Sequence, residues 1–134
     1  MFMLDANVII TVMNGRSLVL ANRLKAEIRA GSTIQIPSIV MFELRYGIAK
    51  SVHAEKSRTA MSHFLAGGMK VTPFEDDDAE HACDIRAGLN AKGTPIGPYD
   101  ILIAAQARSR GAVLVTANRR EFDRVPGLQV VDWG

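Results

Sequence analysis

Short strand-like segments alternate with amphipathic helical segments along the whole chain, and this alternation limits the possible folds more than any other feature of the sequence. The strand segments are apolar or β-branched, whereas the helical segments carry apolar residues three or four positions apart. We predict strands at 2–5, 33–36, 70–74, 112–116 and 129–132, the last one at a sheet edge. We predict helices at 7–13, 17–30, 38–50 and 54–65, from the acidic run at 75–78 to Gly93, and at 98–110.

Local signals decide where three of these helices begin. Residues 7–13 are rich in β-branched side chains and fit a strand or a helix, and we favour a short helix beginning at Asn7. Ser38 stands where it could cap the helix that follows the second strand. The acidic run at 75–78 favours a helix start over a metal site, because acids stabilise the positive end of a helix.

Strands that alternate with helices through short connections indicate an α/β sandwich. We expect a mainly parallel, roughly five-stranded sheet with helices on both faces, because parallel strands need crossover connections. A length of 134 residues is enough for one domain over 1–134 with its own core. No internal repeat or low-complexity segment divides the chain.

Cysteine usage and charge exclude several classes of protein. The one cysteine, Cys83, cannot form an intrachain disulfide, and no charged leader precedes an apolar stretch, so we expect a cytoplasmic protein with Cys83 used for packing. The longest apolar runs, such as 101–105, are far shorter than the roughly 20 residues that cross a bilayer, so no membrane span is expected. The net charge of +2 is compatible with a nucleic-acid partner but does not require one.

Three acidic residues lie in apolar segments, where a surface carboxylate is not expected. Asp5 ends an apolar strand, Glu43 interrupts the apolar run 39–42, and Asp100 opens the apolar run 101–105. Two such charges about 4 Å apart repel each other by roughly 4 kcal/mol at an effective dielectric near 20. A divalent cation removes that cost, and oxygen-only ligands select a hard ion such as Mg²⁺ or Mn²⁺. Because phosphate esters are common substrates of such sites, these residues indicate a metal-dependent nuclease.

The predicted elements bring these acids toward one edge of the sheet. Asp5 and Asn118 follow the carboxyl ends of strands, where ligands gather in parallel sheets. Glu43 has no charged neighbour one helical turn away, and Asp100 faces inward from a first helical turn. Ordinary explanations stay open for the others: Asp5 could cap a helix, Asp100 could stabilise a helix dipole, and Asn118 could serve a turn. Glu43 has no comparable explanation, and the combination is more specific than its members.

Four motifs carry a resemblance to a known family. They are Met3-Leu4-Asp5-Ala6-Asn7, Ser38 through Glu43-Leu44-Arg45-Tyr46-Gly47, Gly97-Pro98-Tyr99-Asp100 through Ala105, and Thr116-Ala117-Asn118 through Glu121-Phe122. In order and spacing they resemble the L-D-x-N opening, the S-x-x-x-x-E-L-x-x-G helix and the third and fourth motifs of PIN domains. The match covers nearly the whole chain and implies a PIN-like three-layer sandwich.

Within that family the chain resembles the VapC toxins of VapB–VapC toxin–antitoxin pairs, and its tail at 119–133 is similar to the subgroup that cuts initiator tRNA in the anticodon region. The resemblance implies a Mg²⁺- or Mn²⁺-dependent endoribonuclease that forms a homodimer. It also implies a VapB-type antitoxin whose C-terminal segment fills the active site. By resemblance, Asp5 and Asp100 hold the metal, and Glu43 completes the cluster and orients water.

The fourth motif departs from the family pattern at Asn118, where many PIN domains carry an acid. Asn118 would bind the metal through its carbonyl oxygen or position the substrate, and Glu121 is a candidate replacement for the missing acid. The number of metal ions therefore stays open. We expect the neighbouring Arg119, Arg120 and Arg124 to hold phosphates of the RNA that flank the cleaved bond.

Other readings compete with the tRNA-cleaving nuclease. A receiver-type phosphoacceptor domain needs an acid pair after its first strand and an aspartate ending its third, but Asp5 stands alone after the first strand and the third ends in Pro73-Phe74. A PIN domain used only for binding would retain the repulsion among Asp5, Glu43 and Asp100 with no metal to offset it. Among nucleases, an enzyme that cuts ribosomal or messenger RNA is the alternative.

Overall fold

Twelve helices and strands follow one another in the order that the sequence pattern indicates, with one short helix added. The computed structural model describes all 134 residues. The strands are β1 (Phe2–Leu4), β2 (Ile34–Pro37), β3 (Lys70–Thr72), β4 (Val113–Val115) and β5 (Gln129–Val131). The helices are α1 (Ala6–Met13), α2 (Leu18–Arg29), α3 (Ser38–Ala49), α4 (Ala54–Leu65), α5 (Asp76–Ala91), α6 (Pro98–Ser109) and α7 (Arg119–Phe122). No helix is both long enough and apolar enough to cross a membrane.

The five strands form one sheet in the order β3-β2-β1-β4-β5, and every neighbouring pair is parallel. In the central strand β1, Met3 pairs with Gln35 of β2 and with Leu114 of β4. The predicted α/β fold with a mainly parallel five-stranded sheet is confirmed, as is the edge position of β5. In receiver-type domains β1 lies between β2 and β3, so this strand order argues against that class.

The central strand β1 is buried on both faces, and this core brings the neighbouring acids Asp5 and Asp100 close to the protein interior. Met3 and Leu4 point to opposite faces of β1, and both are fully buried in a core of 27 residues. Ile103, Ala104 and Ala105 of α6 are also completely buried. An acid that directly follows β1 or opens α6 therefore lies at the border between this core and solvent.

Two predicted helix starts are wrong by one residue. α1 begins at Ala6 rather than Asn7, because Asp5 caps it by accepting a hydrogen bond from the Ala6 amide at 2.8 Å. Ser38 is the first residue of α3 rather than its cap. β2 runs through Pro37 directly into α3, so Pro37 takes the cap position and no side chain caps this end.

Three further features differ from the expectation. Residues Arg119–Phe122 form α7, a single turn that is too short for periodicity to reveal. β3 ends at Thr72 instead of Phe74. Cys83 is exposed instead of packed, because Ala82 and Ile85 take the buried positions on that part of α5.

The acidic run at 75–78 begins α5, as predicted, and its last member also joins α5 to α6. Asp78 accepts hydrogen bonds from the Glu75 amide at 2.8 Å and from Arg110 at 2.6 Å, and also from the Ser109 hydroxyl. Burial alone would raise the pKa of Asp78, but the Arg110, Ser109 and Glu75 donors outweigh burial and hold that pKa below its ordinary value. Asp78 is thus a buried acid with a cationic partner, and its role is structural.

Replacing Asp78 with alanine should destabilise the protein by about 3 kcal/mol, because the mostly buried Arg110 side chain loses its only acidic partner. Since folding lowers the pKa of Asp78, its contribution is present above the unfolded-state pKa of about 4 and is lost as the pH falls below that value. Urea unfolding at about pH 7 and about pH 3 should therefore show a smaller difference from wild type in acid. Asp77→Ala, at an exposed position on the same helix, is the control and should change stability by less than about 0.5 kcal/mol. Equal losses for the two variants would contradict the assigned role.

Candidate active site

Asp5 is held in place by two hydrogen bonds at the carboxyl end of the central strand. Its Oδ1 atom accepts from the Ala6 amide at 2.8 Å, and its Oδ2 atom accepts from the Thr116 hydroxyl at 2.7 Å. Its side chain is almost completely buried. Burial raises the pKa of Asp5, and the hydrogen bonds from Thr116 and Ala6 reduce that rise without cancelling it. Asp5 thus caps α1 and still presents a carboxylate at the carboxyl end of the central strand.

Thr116 connects Asp5 to the segment that carries Asn118. The Thr116 hydroxyl accepts a hydrogen bond from the Asn118 amide at 3.0 Å while it donates to Asp5. Thr116 is completely buried just after β4, so its hydroxyl has no access to solvent. Thr116 lies within the fourth sequence motif, but the sequence alone indicates no role for it. Its only signal is that it is a polar residue at the end of a buried strand.

Asn118 leads to a fourth acid, Glu121, on the single turn of α7. The Asn118 side-chain nitrogen donates to Glu121 Oε2 at 3.2 Å, which leaves its carbonyl oxygen free of this bond. Glu121 in turn shares a hydrogen bond with Asp100. The structure therefore places both residues at the site: Asn118 orients Glu121, and Glu121 reaches the acid on α6.

The pKa values of Asp100 and Glu121 move in opposite directions. Burial raises the pKa of Asp100 to about 8, and the hydrogen bond with Glu121 and the charges of Asp5, Glu121 and Glu43 add to the rise. The hydrogen bond from Asp100 lowers the pKa of Glu121, which is further lowered by the Asn118 donor and by nearby arginines.

Glu43, on α3, lies near Asp5 and Asp100. Burial raises its pKa, and the negative charge of Asp5 raises it further. Its Oε1 atom is buried and has no hydrogen-bond partner. A buried carboxylate oxygen without a donor is costly, so this atom fits a site in which a cation supplies the missing interaction.

The donor set fits a hard divalent cation. Asp5, Glu43, Asp100 and Glu121 offer carboxylate oxygens only, which is the ligand chemistry that Mg²⁺ and Mn²⁺ prefer. No three of the acidic, cysteine or histidine side chains are gathered closely enough to form a ready-made metal cage. The acids repel one another, and a bound cation would reduce that repulsion.

Of the three arginines that we expect to bind RNA phosphates, two already have a partner within the protein. Arg119 forms an ion pair with Asp123 at 3.2 Å, and Arg124 donates to the Pro95 carbonyl at 2.9 Å. Arg120 forms no ion pair. The expectation that three arginines on this segment bind phosphate is thus weakened for Arg119 and Arg124.

The fold and the acids together define a class of protein: a parallel α/β domain with several acidic side chains near the carboxyl ends of its central strands. The chain belongs to the PIN-domain family, whose model matches residues 2–128. The resemblance that four short motifs indicated is confirmed over almost the full length.

Known proteins of this family are similar to the chain from end to end. The tRNA(fMet)-specific endonuclease VapC of Salmonella typhimurium is 39% identical over 132 residues, which cover 98% of this chain and 97% of that protein. Among solved structures, VapBC2 from Rickettsia felis bound to a DNA fragment from its promoter has a TM-score of 0.93 at 33% identity, covering 99% of this chain and 98% of that one. DNA-bound VapBC from Salmonella typhimurium has a TM-score of 0.90 at 38% identity, with the same coverage.

Thr116→Val should lower both the stability of the protein and its affinity for Mn²⁺, although valine and threonine have nearly the same shape. Valine removes the donor to Asp5 and the acceptor for the Asn118 amide, so the metal-free protein should lose about 2 kcal/mol of stability. The apparent Mn²⁺ affinity should fall about tenfold or more, as when a group that orients a metal ligand is lost. Thr116→Ser keeps the hydroxyl and should restore most of the affinity. Calorimetric Mn²⁺ titrations that are identical for the valine and serine variants would remove the orienting role.

Proposed function

We propose that this chain is the ribonuclease toxin of a VapB–VapC pair, a divalent-cation-dependent endoribonuclease that hydrolyses phosphodiester bonds in RNA. The observation that carries the proposal is that Asp5, Glu43 and Glu121 lie near enough to Asp100 for their charges to raise its pKa, while a buried Glu43 oxygen has no partner. A fold gains nothing in stability from such an arrangement. Full-length similarity to endonucleases and ribonucleases named VapC supports it.

Each residue of the cluster has a definable task in this proposal. Asp5, Glu43 and Asp100 would hold one or two Mg²⁺ or Mn²⁺ ions, with Glu121 as a further ligand or an orienting group. The bound ion would neutralise charge on the phosphate and lower the pKa of the attacking water. Asn118 keeps Glu121 directed at Asp100 through its side-chain nitrogen.

The proposed substrate is tRNA, most specifically initiator tRNA cut in its anticodon stem-loop. Support comes from the Salmonella typhimurium relative, whose name specifies tRNA(fMet). A loop also suits the site, because unpaired nucleotides can turn a phosphate into a recess that a stiff A-form stem cannot enter. Ribosomal or messenger RNA is the alternative substrate class.

Two protein partners belong to the proposal. Complexes named VapBC among the similar structures support a VapB-type antitoxin that covers the acids. A second copy of this chain is the other partner, and an aromatic cluster supports it. Phe42 of α3 stacks on Tyr46 at 6.4 Å between ring centroids and meets Tyr99 of α6 at 5.5 Å. All three rings are about half exposed, and such clusters are enriched in interfaces.

Removing one metal-binding charge should abolish cleavage without unfolding the protein. We expect Asp5→Asn, Glu43→Gln and Asp100→Asn each to lower the RNA cleavage rate at least about 100-fold, beyond the usual cost of losing an outer-shell partner. Thermal stability without metal should hold or rise for Glu43→Gln and Asp100→Asn, because each puts a neutral group among like charges. Asp5→Asn should instead be slightly less stable, because it removes one of the two acceptors that the Ala6 amide and the Thr116 hydroxyl use. Purified variants, compared with wild type and with Asp77→Asn as an exposed control, give the result. Wild-type cleavage by Asp100→Asn, or undiminished cleavage after chelation of divalent ions, would refute the mechanism.

The RNA ends that accumulate after brief expression in cells identify the substrate. We expect new ends inside the anticodon stem-loop of initiator tRNA, and none after expression of Asp100→Asn. Sequencing of 5′ and 3′ ends measures this directly. Breaks confined to ribosomal RNA or scattered over messages, with initiator tRNA intact, would exclude the tRNA assignment and leave the nuclease assignment standing.

A further inference from the structure

A groove between α1, α3 and α4 begins at Glu43 and opens at the far end of α3. Its inner part is lined by Glu43 and by an apolar floor that includes Ile10, Leu44 and Ile48. Its outer part is wider, with a volume of about 580 Å³, and shares Ser51 with the inner part. The groove is therefore a continuous path from one acid of the active site to the protein surface.

The outer part of this groove is basic. Arg16, His53 and Lys56 line it, and all three are exposed. None of them forms an ion pair, whereas Arg108, Arg110 and Arg119 elsewhere are each paired with an aspartate. These three side chains thus keep their donors available for a ligand.

The basic outer part of the groove lies a short distance along α3 from Glu43. Glu43 and Ala49 at the end of the helix are six residues apart, which corresponds to about 9 Å at 1.5 Å per residue. Ser51, which lines both parts of the groove, lies two residues beyond this helix end, so a short extended ligand can occupy both parts at once. A nucleic-acid strand has this form, because its phosphates repeat along the chain and its bases can pack on an apolar floor.

We propose that Arg16, His53 and Lys56 form a phosphate-binding subsite that holds the single-stranded RNA substrate on one side of the cleaved bond. This inference rests on the proposed nuclease function and names the path of its substrate. Arg16 and Lys56 bind backbone phosphates, His53 adds a hydrogen-bond donor beside them, and the apolar floor of Ile10, Leu44 and Ile48 accepts a base. The positive charges of Arg16 and Lys56 also offset the acidic site, which by itself would repel RNA.

The lining of the outer part favours RNA over a polypeptide. Of its eight lining residues only Met13 and Ala60 are apolar, so it offers little surface for the buried anchors that protein partners use. A polyanion, in contrast, gains from every unpaired cation. An antitoxin segment at this place is therefore the competing outcome in the test.

The test compares two doubly substituted proteins of equal charge. Arg16→Gln with Lys56→Gln removes two cations of the subsite. Lys25→Gln with Arg29→Gln removes the same residue types from α2, which leads into the amino end of β2, and neither of these residues forms an ion pair. All four positions are exposed, so both proteins should fold, as thermal unfolding will verify.

Binding of a labelled oligouridine is measured by fluorescence anisotropy in the presence of a chelator, so that the result does not depend on cleavage. We expect the subsite variant to bind about tenfold more weakly than wild type, and the slope of log K against log salt to fall by about 1.4, or about 0.7 for each lost phosphate contact. The control variant should bind like wild type. With Mn²⁺ and RNA substrate, the KM of the subsite variant should rise while kcat stays unchanged.

Several results would overturn the proposal. They are equal RNA binding by the two variants, undetectable oligouridine binding by wild type, and unchanged RNA binding with weakened binding of the antitoxin, which would assign the groove end to that partner. Loss of oligouridine binding confined to the subsite variant, in a protein that cleaves no RNA, would refute the nuclease function and support the phosphate subsite.

Discussion

The hydrogen bond from Thr116 to Asp5 joins the carboxyl ends of the two central strands, and the geometry of the site depends on it. It directs Asp5 Oδ2 while the Ala6 amide directs Oδ1, so the carboxylate cannot rotate away from the sheet edge. The same hydroxyl holds the Asn118 amide, and Asn118 holds Glu121. A short chain of hydrogen bonds therefore passes from β1 through β4 to α7.

Asp78, which is buried, and Asp100, which is partly buried, show how a partner decides the role of a carboxylate. Asp78 faces Arg110, and that cation together with hydrogen-bond donors lowers its pKa. Asp100 faces other carboxylates, and its pKa rises to about 8. Both side chains lie in the first turn of a helix, Asp78 at the end of an acidic run and Asp100 before an apolar run. The first ties two helices together, whereas the second has no cationic partner in the protein, and a bound cation would favour its charged form.

Much of the fold could be predicted because it depends on patterns that are local in sequence. Every long helix and every strand has a periodicity that its segment displays without help from the rest of the chain. The errors lie where a neighbouring element decides the outcome. Ser38 looks like a cap until β2 continues through Pro37 into the helix. α7 has only one turn, so its existence depends on the surroundings and not on a repeating pattern.

Part of the site could likewise be predicted from the sequence and part could not. Asp5, Glu43 and Asp100 are unusual in the sequence alone because their neighbours are apolar, and a carboxylate in such a segment is drawn toward the core. The tertiary structure brings the three to one place through the parallel order of β2, β1 and β4, which places their segments side by side.

Three features could not be predicted from local sequence patterns. They are the role of Thr116, the hydrogen bond from Asn118 to Glu121 and the basic end of the groove. Each depends on distances between segments far apart in the chain, such as the contact from Thr116 to Asp5. Local patterns carry no information on those distances, so the sequence by itself determined which elements form and which acids are exceptional. Only the packing of the helices around one parallel sheet decided which side chains complete the site.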